Sequence, residues 1–205
     1  MTPRDPVRER LLSVSCELFA RQGYDGTSVR DITRRARANL GAITYHFGSK
    51  EALYHEVIAS RVEPLVELVA RAAGLPGAPL DRVEAIVRTF LGYVAAHPEM
   101  PKLILRELAA ERPLPPPAQR AMQRNFGALV EAVAAGQRDG SIRSGEPTLL
   151  AFSAMAQPFF FGIGARMILT ASGLDLKDPT TRAPVVDHLV TAIRRALAAN
   201  PTINP

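Results

Sequence analysis

Four arginines crowd one short stretch near the start of the chain: Arg30, Arg34, Arg35 and Arg37. They are followed by Asn39-Leu40-Gly41-Ala42-Ile43-Thr44-Tyr45-His46-Phe47 and then by Ser49-Lys50. Guanidinium groups at this density neutralise phosphates and release the counterions that a nucleic acid condenses. Arg30 is the best candidate of the four for gripping the N7 and O6 edge of guanine with two hydrogen bonds. The competing reading of Arg30 is a solvated side chain on a helix face. Lys50 stands at a helix start, where the dipole disfavours a cation. A phosphate beside it would compensate, and the free backbone N–H groups there could bind it too.

The elements that must position these groups are two short helices with a tight break between them. Thr27 or Ser28 can cap the first, and Asp31 follows Ser28 by three residues, as in a capping box. Val29, Ile32 and Ala36 form its inward face and the arginines lie largely off it. Asn39 suits the cap of the next helix, which runs to Phe47. Ile43 and Phe47 are one turn apart and face inward, and roughly opposite them lie Gly41, Ala42 and Tyr45. Two tiny residues beside an exposed aromatic suit a face that approaches another surface closely, as in a DNA major groove. Leu40 has two readings, inward with Ile43 or outward onto a thymine methyl. His46 also has two, a packed histidine or a phosphate contact.

A preceding helix over Val7–Gln22 carries Leu11, Val14, Leu18 and Phe19 on one face and stops at Gly23. Ser49 caps a long fourth helix that reaches Ala73. Its stripe is Tyr54, Ile58, Val62, Leu65 and Val69, and Pro64 inside it should bend it. After the linker GLPGAP, five further helices are expected over about Leu80–Ala96, Pro101–Glu111, Ala118–Arg138, Pro147–Thr170 and Thr181–Ala199. The expected fold is therefore all-α with about nine helices. Residues 1–50 form an N-terminal three-helix head, the helix from about 50 to 73 connects, and residues 51–205 form a helical body.

Charge supports the division. Residues 1–50 hold nine Lys and Arg against five Asp and Glu, whereas residues 51–205 are close to neutral within a total of +5. A basic head on a neutral body is the footprint of a nucleic-acid-binding unit, with solvated helix faces as the alternative. The 47% hydrophobic content of the 205 residues supports a folded core. Cys16 is the sole cysteine, which excludes an intramolecular disulfide and a thiol metal cluster; its apolar neighbours favour a buried structural thiol over a redox sensor. The run Leu149–Ala165 is too short to span a bilayer comfortably, holds Gln157 and Pro158, and ends at Arg166, so a buried helix is expected and no membrane. MTPRDPVRER lacks an apolar signal core, and a cytoplasmic protein is expected.

At GYDGTSVRDI and NLGAITYHFGSKEALY the chain resembles the TetR family of one-component bacterial transcriptional regulators, in register over about residues 7–56. QRDGSIRSGEP, between two long helices, resembles that family's joint before its dimerisation helices. The resemblance implies a DNA-binding head on a ligand-binding and dimerisation body. Carried over by position, Thr27, Tyr45, His46 and Lys50 would contact phosphates, with Ser28 beside them. Arg30, Asn39, Leu40, Gly41, Ala42 and Thr44 would lie at or near base edges. Two positions depart from the family. Arg37 stands where members usually have a turn glycine, so either Arg37 adopts a left-handed conformation or the turn differs. Thr44 stands where many members have a phosphate-binding tyrosine, a role that Tyr45 would take.

One head spans few base pairs, which predicts a homodimer on palindromic double-stranded DNA. Leu149, Phe152 and Met155 on one long helix, and Val186, Leu189, Ile193 and Leu197 on the last, suit a four-helix interface between copies; intrachain core is the alternative. Phe90, Tyr93, Met122, Phe126, Phe159, Phe160 and Met167 supply either a core or the lining of a pocket for an apolar or aromatic effector. Among charged residues, Arg106, Glu107 and Arg166 are the ones to watch as ligand anchors. The expected regulator is a repressor released by that effector, with no cofactor and no metal. A ligand-free dimeric DNA binder is one alternative. A helical enzyme is the other, but no nucleophile elbow, phosphate loop or metal spacing is present, and His46, His55, His97 and His188 are scattered.

Overall fold

The computed structural model describes residues 5–171, 173 and 178–199, apart from the side chains of residues 162, 163, 165–170 and 179. The described residues form nine α-helices and no strand: α1 Pro6–Gln22, α2 Val29–Arg35, α3 Ala42–Phe47, α4 Lys50–Ala73, α5 Pro79–Ala96, α6 Glu99–Ala109, α7 Pro116–Arg138, α8 Pro147–Ala171 and α9 Pro179–Leu197. Local chemistry explains the ends in the head. Asp5 caps α1 by accepting the Val7 N–H at 2.9 Å, and Gly23 ends it at φ 76. Ser28 caps α2: its Oγ accepts the Asp31 N–H at 3.1 Å and donates to the Asp31 carboxylate at 2.5 Å. Ser49 caps α4 through the Ala52 N–H at 3.0 Å.

Asn39 does not cap α3. Its backbone carbonyl accepts the Ala42 N–H at 2.9 Å, while Gly41 is the residue that precedes the helix. A single turn at residues 39–42 thus delays the start of α3 beyond the position that the polar side chain suggested.

Residue contacts group the chain into two units, Met1–Pro64 with Glu99–Ala121 and Leu65–Pro98 with Met122–Pro205. The first unit has a core of Leu11, Phe19, Ile32, Ile43, Leu53, Val57 and Ile58, all fully buried. The Phe19 and Tyr54 rings meet edge to face with centroids 4.7 Å apart. In this unit α6 packs on α1, and two consecutive residues fasten it. Arg106 donates from Nε to the Ala20 carbonyl at 3.3 Å and from Nη2 to the Arg21 carbonyl at 2.8 Å, satisfying the open end of α1. Glu107 is buried, and its carboxylate accepts the Tyr54 hydroxyl at 2.6 Å and Arg112 Nη2 at 3.1 Å. Arg106 and Glu107 therefore hold the head together; nothing in their placement marks them as ligand anchors. Arg166 lies among the side chains outside the described residues.

In the second unit α5 packs on α8 and α9. Val83, Ile86, Val87, Leu129, Val133, Leu150, Ala154 and Val190 are buried there. Arg194 binds Asp81 at 2.6 Å and Glu84 at 3.2 Å, and Arg88 binds Asp187 at 2.6 Å and Glu84 at 3.0 Å. These pairs lie at the solvent edge and contribute modestly. The segment after α7 folds back on the end of α9: the Arg143 N–H donates to the Leu197 carbonyl and the Ala199 N–H to the Ser141 carbonyl. A Cβ at Gly136 would sit 2.5 Å from the Ile142 side chain, so only glycine admits this turn.

The buried Glu107 carboxylate yields a test. Tyr54→Phe removes one of its two donors, and hydrogen bonds to charged groups contribute about 1.5–3 kcal/mol. Urea unfolding of Tyr54→Phe should show that loss as a lower midpoint with an unchanged slope. Burial, and then the bond to Glu107, push the Tyr54 phenol well above its ordinary 10.0. That contribution is therefore complete below pH 10.0 and declines above it, as tyrosine in the unfolded chain ionises first.

Candidate nucleic-acid interface

The outward face of the head is built on one buried residue. Ile43 is buried, and it fixes which way six-residue α3 turns. Opposite it Tyr45 is 84% exposed, Leu40 55% exposed, and Gly41 and Thr44 are exposed as well. Leu40 thus takes the outward of its two readings. Ala42 is half-buried at the edge of this face and Asn39 is exposed.

Gly41 is informative because the fold does not require it. Its φ is −73, which any residue adopts, and a Cβ added there would meet nothing within 4 Å. Neither backbone conformation nor internal packing explains its smallness. Its position leaves the backbone open to close approach from outside.

The turn before α3 keeps its shape without a glycine. Arg37 sits at φ 51, the left-handed region. Its N–H donates to the Arg34 carbonyl at 3.2 Å and the Ala38 N–H donates to the Thr33 carbonyl at 2.9 Å. This pair of bonds is the Schellman ending of a helix. Arg10 Nε, from α1, donates to the Ala36 carbonyl at 3.3 Å and steadies the same corner. The sequence offered no signal for that contact.

The basic residues divide by what holds them. Arg34 pairs with Asp31 at 2.6 Å and Arg35 with Glu17 at 3.0 Å. The Asp31 carboxyl is held below its ordinary 3.8, chiefly by the Ser28 hydroxyl and with help from Arg34. Arg30 and Arg37 are exposed and have no ion-pair partner among the described residues. Lys50 Nζ lies 4.1 Å from the centre of the Tyr24 ring, and Arg8 lies over Phe47 and pairs with Glu56. The Tyr24 ring thus offers Lys50 a partner within the head, independent of any phosphate.

Two expected contacts are turned inward. Thr27 is buried, and its hydroxyl donates to the Gly23 carbonyl at 2.8 Å, so it presents no group outward. Ser28, beside it, is exposed but holds the cap of α2. His46 is largely buried between Tyr45 and Phe47, with Nδ1 3.7 Å from the Asp5 carboxylate, the packed arrangement of its two readings. The face that remains comprises Arg30, Arg37, Asn39, Leu40, Gly41, Ala42, Thr44 and Tyr45.

The residues expected in the body divide similarly. Leu149 and Phe152 are both 65% exposed on α8, and Met155, Val186 and Leu189 are half-buried. Ile193 and Leu197 are buried within their own chain, because α9 turns them onto α5 and onto the segment after α7; they are not available to a second copy. Of the pocket candidates, Phe90 and Tyr93 are buried on α5, Phe126 and Phe159 are half-buried, and Met122 and Phe160 are exposed. The Met167 side chain lies outside the described residues. A shallow crevice lies instead between α5 and α9, lined by Leu80, Val83, Val87, Val190 and Ile193. Cys16 is buried, and burial raises its thiol pKa above the ordinary value, partly offset by Arg61, whose Nε donates to its sulfur at 3.1 Å. Among the described residues no group of three or more potential ligands could hold a metal, and no helix is long and apolar enough to cross a membrane.

Residues 11–57 match the family of bacterial regulatory proteins called tetR. The HTH-type transcriptional repressor SCO4008 of Streptomyces coelicolor is 30% identical over 72% of this chain and 74% of its own length. The HTH-type transcriptional activator FasR of Mycolicibacterium smegmatis is 32% identical over 45% of this chain and 42% of its own. A tetR-family regulatory protein of Rhodococcus RHA1 shares the fold, with a TM-score of 0.77, 16% identity, and coverage of 96% of this chain and 100% of that one.

The face and its anchor should respond oppositely to substitution. Ile43→Ala should destabilise the chain by about 2–5 kcal/mol. Gly41→Gln and Tyr45→Ala should stay within about 0.5 kcal/mol of the native chain. Thermal melting followed by circular dichroism measures all three, and a large loss in either surface variant would contradict the exposure described.

Proposed function

The chain belongs to the tetR family of bacterial regulatory proteins, and on that premise we propose that it is a homodimeric repressor that leaves a palindromic operator when an apolar or aromatic small molecule binds its body. It is a DNA-binding transcriptional regulator, not an enzyme. The observation that carries the operator reading is the outward face of α3 around Gly41, where a Cβ would meet nothing within 4 Å and a groove could approach closely. Tyr45, Leu40 and Thr44 surround it, and Arg30 stands ready to pair with phosphate or guanine.

Pairing is supported by α8. Leu149, Phe152, Ala156 and Phe160 are exposed at spacings of three and four residues, so they form one apolar stripe. A second copy would cover it and bring two heads to two half-sites. The effector reading draws on Asn125 of α7, next to Phe126. Its Oδ1 is shielded from solvent and has no hydrogen-bond partner among the described residues. A largely apolar molecule carrying one donor would satisfy it. Repression follows SCO4008, the relative matched over the greater length. Action on chromosomal DNA puts the protein in the cytoplasm.

Selection of bound sequences from random duplex DNA, at about 50 and 200 mM salt, tests the reading. A palindromic site is expected, with affinity falling roughly a thousandfold between the two salts for about six phosphate contacts. A folded, dimeric protein that enriches no site would overturn it. Phe152→Glu should give a monomer by sedimentation, keep its helical circular dichroism, and lose the site.

A further inference from the structure

The turn between α2 and α3 holds a residue that the turn itself disfavours. Position 37 is the left-handed position of a Schellman ending, where glycine is the usual occupant because a Cβ crowds the following carbonyl. Arg37 adopts φ 51 regardless. The Schellman bonds and Arg10 hold the backbone of the turn, but the Arg37 side chain takes no part: it is exposed and has no ion-pair partner among the described residues. The neighbouring Arg34 and Arg35 are already partly neutralised by Asp31 and Glu17. What distinguishes this strained site is an exposed cation beside the outward face of α3, open to an external anion.

Its position suggests which function. Arg37 stands two residues before Asn39 and four before Gly41, at the corner from which the outward face of α3 begins. We propose that Arg37 is a DNA-backbone contact: its guanidinium grips a phosphate beside the groove that α3 enters. The proposal rests on the duplex-binding reading above. It adds a cation that reads no base, so its effect must be uniform across sequences and must appear in the salt dependence.

The same geometry occurs once more, which supplies a control. Glu111 is also at φ 51, with the Glu111 N–H donating to the Leu108 carbonyl and the Arg112 N–H to the Glu107 carbonyl. Glu111→Gly relieves the same strain without touching a cation of the head. The test compares the native full-length chain, Arg37→Gly, Arg37→Lys and Glu111→Gly. Each is melted, and each is titrated at several salts with the selected duplex and with a scrambled duplex of equal length. Arg37→Gly should melt a few degrees higher yet bind both duplexes about three- to tenfold more weakly, with the salt slope reduced by about 0.9. Arg37→Lys should keep the native slope, and Glu111→Gly should melt higher with native affinity and slope. Native affinity and slope in Arg37→Gly would overturn the proposal. An equal loss in Glu111→Gly, or a reduced slope in Arg37→Lys, would overturn it as well. Failure of the native chain itself to prefer the selected duplex would instead bring down the operator reading, and this proposal with it.

Discussion

A helix of six residues has no stability of its own, since isolated helices shorter than about 12 residues are marginal in water. α3 is held because Ile43 joins the core formed by buried residues of α1, α2 and α4. One buried isoleucine fixes the rotation of the helix, and the rotation decides which residues face out. The opposite side is then free of packing duties. It can carry a glycine, a threonine and an uncovered tyrosine without loss to the fold. The chemistry of the face is thus separable from the stability of the head.

The head in turn needs a neighbour far along the chain. The carbonyls at the end of α1 and the hydroxyl of Tyr54 would be poorly satisfied by the first fifty residues alone. Arg106 and Glu107 supply both sets of partners from adjacent positions of α6. Arg112 closes the arrangement by neutralising Glu107, and it also lies 3.7 Å from Asp25 in the turn after α1. A buried carboxylate is tolerable only with such donors around it. The site therefore combines two regimes: a water-excluding network beneath, and a solvated, loosely paired set of cations above.

Much of this was legible in the sequence, for identifiable reasons. α4 was read to its last residue because a serine cap opens it and a Pro- and Gly-rich linker closes it. The left-handed Arg37 was one of two readings, since a glycine position filled by arginine leaves few options. Other features were not legible. Two adjacent hydroxyls, Thr27 and Ser28, compete for one cap, and only the fold shows Thr27 turned back to Gly23. Asn39 has the right side chain for a cap but uses its carbonyl. Val186, Leu189, Ile193 and Leu197 share one periodicity, and periodicity does not say where core ends and surface begins; Ile193 and Leu197 proved internal. The partners of Arg106 and Glu107 lie too far away in sequence for any local pattern to announce them.

The return of α6 to the first unit has a consequence for how such chains can be recombined. The chain leaves that unit at Pro64 and re-enters it at Glu99. A single crossover near Pro64, joining the front of one relative to the rear of another, would carry across the bases of the recognition surface but not its clamp. The new rear would have to present an arginine to a foreign α1 terminus and a carboxylate to a foreign tyrosine at the same spacing. A stable first unit is therefore expected only from relatives that already agree at these few positions.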